Sequence, residues 1–379
     1  MSAPHTFSIL TPSLNGLRFL PDAVASVAAQ NDPTVQHIIM DGGSTDGTVD
    51  WLRGRNDARL VWRSEPDRGQ SDALNKALAL ATGDIIGWIN TDDRFLPGAF
   101  DAVRSTFERY PHVDVVYGDY RLIDSTGRAY QDMLTQEWGF ESLVLCGISG
   151  ALIGQPATFW RRRLNDAIGG FDVDLHYCMD WDFWVRARQV GPFAQAESFL
   201  AEFRVHGSAK TADDLRHMEE VMDMCDRYVA KLPSYKRAAA QKLLDERRAD
   251  QQRHRQALED VVAAVRERIA ESPAVGRLVV YALGHNGRRL YRRLGDIVRG
   301  RSIEVLLVDD SSTPNPLMPE GVMTSAEVTM QPGRQLVVVT PWEDGGIVGR
   351  LRGMGLREGH DFLRWSAPRA AAATAGARA

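Results

Sequence analysis

The stretch Trp88-Ile89-Asn90-Thr91-Asp92-Asp93 sets two adjacent carboxylates at the end of an apolar run, and Asp41-Gly42-Gly43-Ser44-Thr45-Asp46-Gly47-Thr48 is a turn that ends another. A buried strand does not tolerate two free carboxylates, so the pair must lie at its exposed carboxyl end, where open α/β sheets bind ligands. Two acidic strand ends in one half of the chain suggest a diphosphate site. A diphosphate needs its charge neutralised, and a divalent cation held by carboxylates does this without being fully caged. Asp92 and Asp93 suit that task. The pair could instead cap the helix that Pro97 begins.

The elements that must hold these residues follow from the apolar spacing. Phe7 to Leu10, Gln36 to Met40, Leu60 to Arg63, Ile85 to Ile89 and Val113 to Tyr117 read as strands. Phe19 to Ala29, Thr48 to Arg55, Ser71 to Ala81 and Pro97 to Arg109 keep apolar residues three or four apart and read as helices. This βαβα order predicts an α/β domain over residues 1–211 with a largely parallel sheet. From Leu215, the series Met218, Met222, Cys225, Tyr228 and Leu232 forms a helical seam. A second helix follows Pro233; its middle, Asp245 to Gln256, reads as a solvated arm before Leu258, Val261, Val262, Val265 and Ile269 resume the apolar face. Residues 212–274 are thus a helical linker or a dimerisation surface that would make a homodimer. Arg277 to Leu283, Ile303 to Asp309 and Gln335 to Thr340 read as buried strands, with helices at Gly287 to Val298 and Gly346 to Gly353, so residues 275–365 form a small Rossmann-like α/β domain. Residues 366–379, mostly Ala, are expected to be a frayed tail.

Composition narrows the partners. The chain has 379 residues, 44% hydrophobic and 25% charged, which suits a soluble protein of two domains. Its net charge of -5, without a basic stripe interleaved with aromatics, argues against nucleic acid. Cys146, Cys178 and Cys225 are far apart, which suggests neither a thiolate zinc cluster nor a disulfide framework and fits a reducing cytoplasm. The amino terminus shows no basic-then-apolar leader, and the longest apolar stretch, Leu143 to Ile153, is too short to span a bilayer, so any membrane contact is peripheral, at the inner face.

Thr11-Pro12-Ser13-Leu14-Asn15, Asp41 to Thr48, Glu65-Pro66-Asp67-Arg68-Gly69-Gln70-Ser71-Asp72-Ala73-Leu74-Asn75-Lys76 and Asn90-Thr91-Asp92-Asp93 resemble glycosyltransferase family 2 in type, order and spacing. The similarity covers roughly residues 6 to 210 and does not reach the carboxyl-terminal third. It implies the GT-A fold, a nucleotide-diphospho-sugar donor, a divalent metal (Mn2+ or Mg2+) and inversion at the anomeric carbon. On the resemblance, Asn90-Thr91-Asp92 aligns with a D-x-D element whose last residue meets the metal. Asn90 departs from the acidic first position, where an amide still hydrogen-bonds.

Asp41, closing its strand, could accept hydrogen bonds from a base or ribose, with Pro12 and Asn15 beside it; Asp46 reads as a turn and N-cap residue. Asp67, Arg68 and Asn75 join them as donor contacts, Arg68 toward a phosphate. An inverting transfer needs a general base, and Met179-Asp180-Trp181-Asp182-Phe183-Trp184-Val185-Arg186 resembles the family's acidic element. Asp180 takes the base position by that match, with Asp182 as its competitor. Trp181 is the aromatic that could stack on the acceptor, whereas Trp184 packs the helix. Gln155 resembles a residue of the acceptor cleft, and His206 the family's late metal ligand, with Arg204 and Lys210 near enough in sequence to serve phosphates. Ala282 to Gly287, followed by Asp309, is a weak dinucleotide fingerprint, set against a scaffold, partner-binding or acceptor-positioning role.

The resulting expectation is a metal-dependent inverting transferase that moves a sugar from a UDP-sugar to a hydroxyl of a glycan or lipid-linked acceptor in polysaccharide assembly. A non-catalytic nucleotide-sugar-binding scaffold is the alternative. A nucleotidyltransferase is a third, weakened by the lack of a Gly-rich basic loop after the first strand.

Overall fold

The computed structural model describes residues 5–149, 153–207, 210, 214–281, 285–298, 302–309, 322–324, 327–328, 334–340 and 346–365. The chain divides into two compact units, Met1–Leu244 and Asp245–Ala379.

The first unit opens with β1 (Phe7–Ser13), α1 (Leu20–Ala28), β2 (Gln36–Asp41), α2 (Thr48–Arg53), β3 (Leu60–Ser64), α3 (Gln70–Leu80) and β4 (Ile85–Trp88). It continues through β5 (Arg94–Phe95), α4 (Ala99–Arg109), β6 (Val115–Ile123), β7 (Ala129–Met133), α5 (Phe140–Ser149), β8 (Thr158–Arg161), α6 (Arg163–Ile168), α7 (Met179–Val190), β9 (Phe193–Arg204) and α8 (Asp214–Val229). The sheet order is β3-β2-β1-β4-β8-β6-β9-β5, with β7 on β6. β1 pairs in parallel with β2 on one side and β4 on the other. The chain therefore runs outward to β3 and returns to β4, which opens a crevice past the carboxyl ends of β1 and β4, the place where such sheets take ligands.

Both faces of this sheet are covered, which is why its strands read as continuous apolar runs. Phe7, Ile9, Ile85, Val116 and Phe159 face one core with Phe100 and Phe107. Their neighbours Leu10, Ile86, Val115 and Trp160 face the other with Phe183 and Trp184. The period-two alternation thus survives as a division between two apolar layers.

The sheet is mixed, which corrects the largely parallel expectation. β8 pairs antiparallel with both β4 and β6, and β5 and β7 also pair antiparallel. Only four residues make β8, too few to carry a periodic signal, and β9 mixes polar and apolar residues over twelve.

The seam expected as a linker or a dimerisation surface is spent inside this unit. Met222, Cys225, Tyr228 and Leu232 are buried in the same core as Trp181 and Phe183 of α7. The unit division falls within α9 (Ser234–Glu271).

The second unit contains β10 (Arg277–Tyr281), α10 (His285–Val298), β11 (Glu304–Val308), β12 (Gln335–Val339), α11 (Ile347–Gly353) and β13 (Phe362–Arg364). Its sheet, β11-β10-β12-β13, is parallel throughout, so the unit is Rossmann-like. Ala282 to Gly284 of the weak fingerprint and the tail 366–379 lie outside the described residues.

Candidate active site

The crevice is a cleft of about 600 Å³, within the range of small-molecule sites. Its lining includes Pro12 and Ser13 at the end of β1 and Leu14 just after it, Asp67 and Gln70 before and on α3, Asn90 to Asp92 after β4, Gln155, and Asp180 on α7.

Asn90 shapes the floor. Its Oδ1 accepts from Gln70 Nε2 and from the Trp88 indole, both at 2.8 Å, while its Nδ2 donates to Gln155 Oε1 at 2.8 Å and to Asp93 Oδ2 at 3.2 Å. An aspartate could not donate these last two bonds and would repel Asp93, so the departure from D-x-D has a local reason. Gln155 spends its other end on the Trp88 carbonyl, 2.7 Å away. It lines the cleft but is tied into the floor.

The two carboxylates then part company. Asp93 is buried, accepts from the Arg204 backbone N–H at 2.8 Å, and is pushed well above the usual carboxylate range by burial and by the charge of Asp92. It is a floor residue absent from the cleft lining, which corrects its assignment as a donor contact. Asp92 turns into the cleft, where its Oδ2 lies 3.0 Å from His206 Nε2 at the end of β9. The structure thus joins residues 114 positions apart. Arg204, proposed for phosphates, is instead buried against the Asp92 carbonyl and Asp22.

A carboxylate and an imidazole this close, at the edge of a cleft, fit a divalent cation that takes its other ligands from a diphosphate and water. Among the described residues no group of three His, Cys, Asp or Glu could hold a metal, so the protein offers an incomplete shell rather than a cage.

On the β1 and β2 side, Asp41 is 1% exposed and accepts from the Gly43 and Ser44 backbone N–H groups and from the hydroxyls of Ser44 and Ser64. Four donors use the acceptor capacity of a carboxylate, so Asp41 organises its loop rather than presenting itself to a base. Asn15 is likewise committed: its N–H donates to Ser44 Oγ at 2.6 Å and its Oδ1 accepts from the Thr45 N–H at 2.9 Å. Asp46 accepts from the Thr48 N–H at the start of α2, the turn role expected of it. Pro12 and Asp67 do line the cleft. A Cβ on Gly42 would stand 2.5 Å from Asp67 Oδ2, so a larger residue there would displace the Asp67 carboxylate from its place in the cleft lining.

Arg68 and Asn75 are corrected. Arg68, 73% exposed, lies 3.6 Å from Asp72 and is not part of the lining. Asn75 donates to the Phe171 carbonyl and accepts from the Phe171 N–H, both at 2.8 Å, which spends its amide on holding the segment before α7.

Asp180 and Asp182 have different surroundings. Asp182 is 2% exposed and paired with Arg186 at 2.7 Å and with the Tyr228 hydroxyl at 2.7 Å, so it ties α7 to α8. Asp180 lines the cleft and, in that confined setting, is pushed up to about 6, chiefly by burial. Trp181 is a core residue: its indole N–H donates to the Leu143 carbonyl at 2.6 Å, away from any sugar.

Sequence reasoning passed over Ser13, Leu14, Gln70, Tyr177, Arg216 and Glu220. The first two sit within the quoted β1 motif, where their exposure was the missing information: Leu14 is 62% exposed at the cleft, and Ser13 Oγ is buried without a hydrogen-bond partner among the described residues. Lys210, at the opposite wall, donates to Gln70 Oε1 at 3.0 Å.

A crevice at the sheet switch point, with a carboxylate and imidazole at one wall and a raised carboxyl at another, defines a group-transfer enzyme of the nucleotide-sugar type. The model of glycosyl transferase family 2 matches residues 8–168. A PGL/p-HBAD biosynthesis glycosyltransferase of Mycobacterium bovis is 30% identical over 190 residues, covering 49% of this chain and 70% of the relative. An uncharacterized glycosyltransferase of Mycobacterium tuberculosis is 28% identical over 244 residues, covering 58% and 86%. Among solved structures, S. aureus TarS 1-349 in complex with UDP-GlcNAc aligns with a TM-score of 0.50 at 17% identity, over 64% of this chain and 71% of that one. The chain belongs to glycosyltransferase family 2 and has the GT-A fold in its first unit. It is a glycosyltransferase.

Proposed function

We propose that the enzyme transfers a sugar from a nucleotide-diphosphate donor, a UDP-sugar, to a hydroxyl of a glycan or lipid-linked acceptor with inversion, and that Asp180 is its general base. The observation that carries this reading is that Asp180, held near 6, shares one cleft with Asp92 and with Pro12 to Leu14. A carboxyl titrating there is ionised at neutral pH yet basic enough to draw a proton from an alcohol as the alcohol becomes nucleophilic.

In the proposed displacement, Asp180 takes the acceptor proton and the acceptor oxygen bonds to the anomeric carbon from one face. The bond to the diphosphate oxygen breaks on the other, and its electron pair leaves with the nucleoside diphosphate. Asp92 and His206 would hold a divalent cation, Mn2+ or Mg2+, whose chemistry when bound is to neutralise charge on the departing diphosphate. Pro12, Ser13, Leu14 and Asp67 shape the donor side.

No helix among the described residues is long and apolar enough to cross a membrane. A cytoplasmic enzyme that meets a lipid-linked acceptor at the membrane's inner face is consistent with that observation.

Thermal-shift screening of nucleotide sugars with manganese identifies the donor, because a ligand bound only by the native state raises the melting temperature. Asp180→Asn is expected to keep that shift and lose transfer and donor hydrolysis. A variant that still turns over at the parental rate refutes the base assignment, and pyrophosphate release from a triphosphate would favour a nucleotidyltransferase.

A further inference from the structure

Glu220, in α8, lies beyond residues 8–168 matched by the family model. Its carboxylate accepts three consecutive backbone N–H groups: His176 at 2.8 Å, Tyr177 at 2.6 Å and Cys178 at 2.5 Å. These residues lead directly into α7, whose N-cap, Cys178, makes no side-chain capping bond of its own. A helix start leaves N–H groups in need of acceptors and favours negative charge, and cysteine supplies neither. Glu220, from a different helix, accepts the N-cap amide and the two amides before it and sets a negative charge beside the helix start, two residues before the cleft carboxyl of Asp180.

The anchor of Glu220 is firm. Val221, Met222, Met224 and Cys225 bury α8 in the core shared with α7, and Tyr228 and Arg227 reach Asp182 one turn into α7. α8 therefore grips α7 on both sides of Asp180.

We infer that Glu220 is a positioning residue for the transfer reaction, fixing the 176–178 segment so that Asp180 meets the acceptor hydroxyl. The inference rests on the proposed role of Asp180. The charged and titratable groups around Asp180 are Lys210, which lies against Tyr177, Arg216 and Glu220 from α8, Asp67 and Asp92 in the cleft lining, and His176 and Cys178 on its own segment. Glu220 contributes the negative charge on the α8 side, which favours the protonated form of Asp180.

Two variants test this in the full-length protein. Glu220→Ala removes both acceptor oxygens and the charge; Glu220→Gln removes the charge and keeps one acceptor oxygen, enough for the Tyr177 and Cys178 N–H groups that share Oε1 but not for His176 on Oε2. Amide exchange over residues 176–178 is expected to speed up throughout in the alanine variant, and in the glutamine variant to speed up at 176 while 177 and 178 stay protected. The titration midpoint of Asp180, followed by carboxyl 13C NMR and assigned with Asp180→Asn, is expected to move down in Glu220→Gln. With the donor found in the thermal-shift screen, kcat should drop by up to about 100-fold in Glu220→Ala with donor KM nearly unchanged, and Glu220→Gln should recover most of it. Unchanged exchange in the alanine variant together with an unmoved midpoint in the glutamine variant overturns the inference, and the glutamine variant decides alone if the alanine protein fails to fold. Full turnover by Asp180→Asn with the exchange result intact would instead sink the role given to Asp180.

Discussion

The two sides of the first turn of α7 put the same functional group to opposite uses. Toward α8, Asp182 is buried and bonded to Arg186 and Tyr228; toward the cleft, Asp180 accepts, among the described residues, from backbone N–H groups of its own helix turn, Trp181 at 2.7 Å and Asp180 itself. A carboxylate saturated by its own chain is fixed in charge and place, whereas one left short of partners shifts toward holding a proton and can exchange it with a substrate. Asp41 and Asp92 differ likewise in their partners: four donors hold Asp41 within its loop, whereas Asp92 turns into the cleft beside His206. Position at a strand or helix end gives a residue access to the site, and the donors around it decide whether it is left available.

The comparison breaks most sharply by mutation. Asp180→Asn should lower kcat by about 10²–10⁴-fold with the urea midpoint unchanged, as a general base does when removed. Asp182→Ala should do the reverse: leaving Arg186 without its buried partner costs on the order of 3–5 kcal/mol by urea unfolding, and the fraction that remains folded should keep its kcat. If Asp182→Ala is stable but inactive, the two roles have been exchanged.

pH sharpens it next. With Asp180 near 6, kcat/KM should fall about tenfold per unit as the pH drops below 6, because the protonated carboxyl no longer accepts the acceptor proton. Stability should respond elsewhere. His37 is buried against Thr11 and pushed from 6.5 down to about 3, so the folded chain keeps it neutral while the unfolded chain takes a proton below 6.5. Its contribution is complete above pH 6.5 and erodes as the pH falls toward 3, by at most about 1.4 kcal/mol per unit, and His37→Leu should flatten that slope in urea titrations. The smallest effect is expected at Arg68, whose replacement by alanine should leave the donor-induced thermal shift unaltered because the side chain is largely in water.

The first four parallel strands and the helices between them were legible because each is a long apolar run or a clear helical period, and β1 to β4 begin where expected. β5, β7 and β8 were not: β5 has two residues, β7 is mostly exposed and polar, and β8 is a short aromatic run that pairs antiparallel with strands distant in sequence. Motif spacing pointed to Asp92, Asp180 and Pro12, which line the cleft, and to His206 beside Asp92, residues whose place at or near an element's end is a local property. It could not show that Asn75 and Trp181 are tied to partners 96 and 38 positions away, or that Asp41 is held by its own loop and by Ser64. Glu220 escaped notice for a related reason: one acid on a charged helix face looks solvated until the backbone it meets is known.

Ser13 carries one more consequence. Its hydroxyl is sequestered at the cleft wall and, among the described residues, has nothing to bond to. A buried hydroxyl left unbonded costs a fold roughly 1–3 kcal/mol, so swapping Ser13 for alanine should yield a sturdier protein, read as a raised urea midpoint.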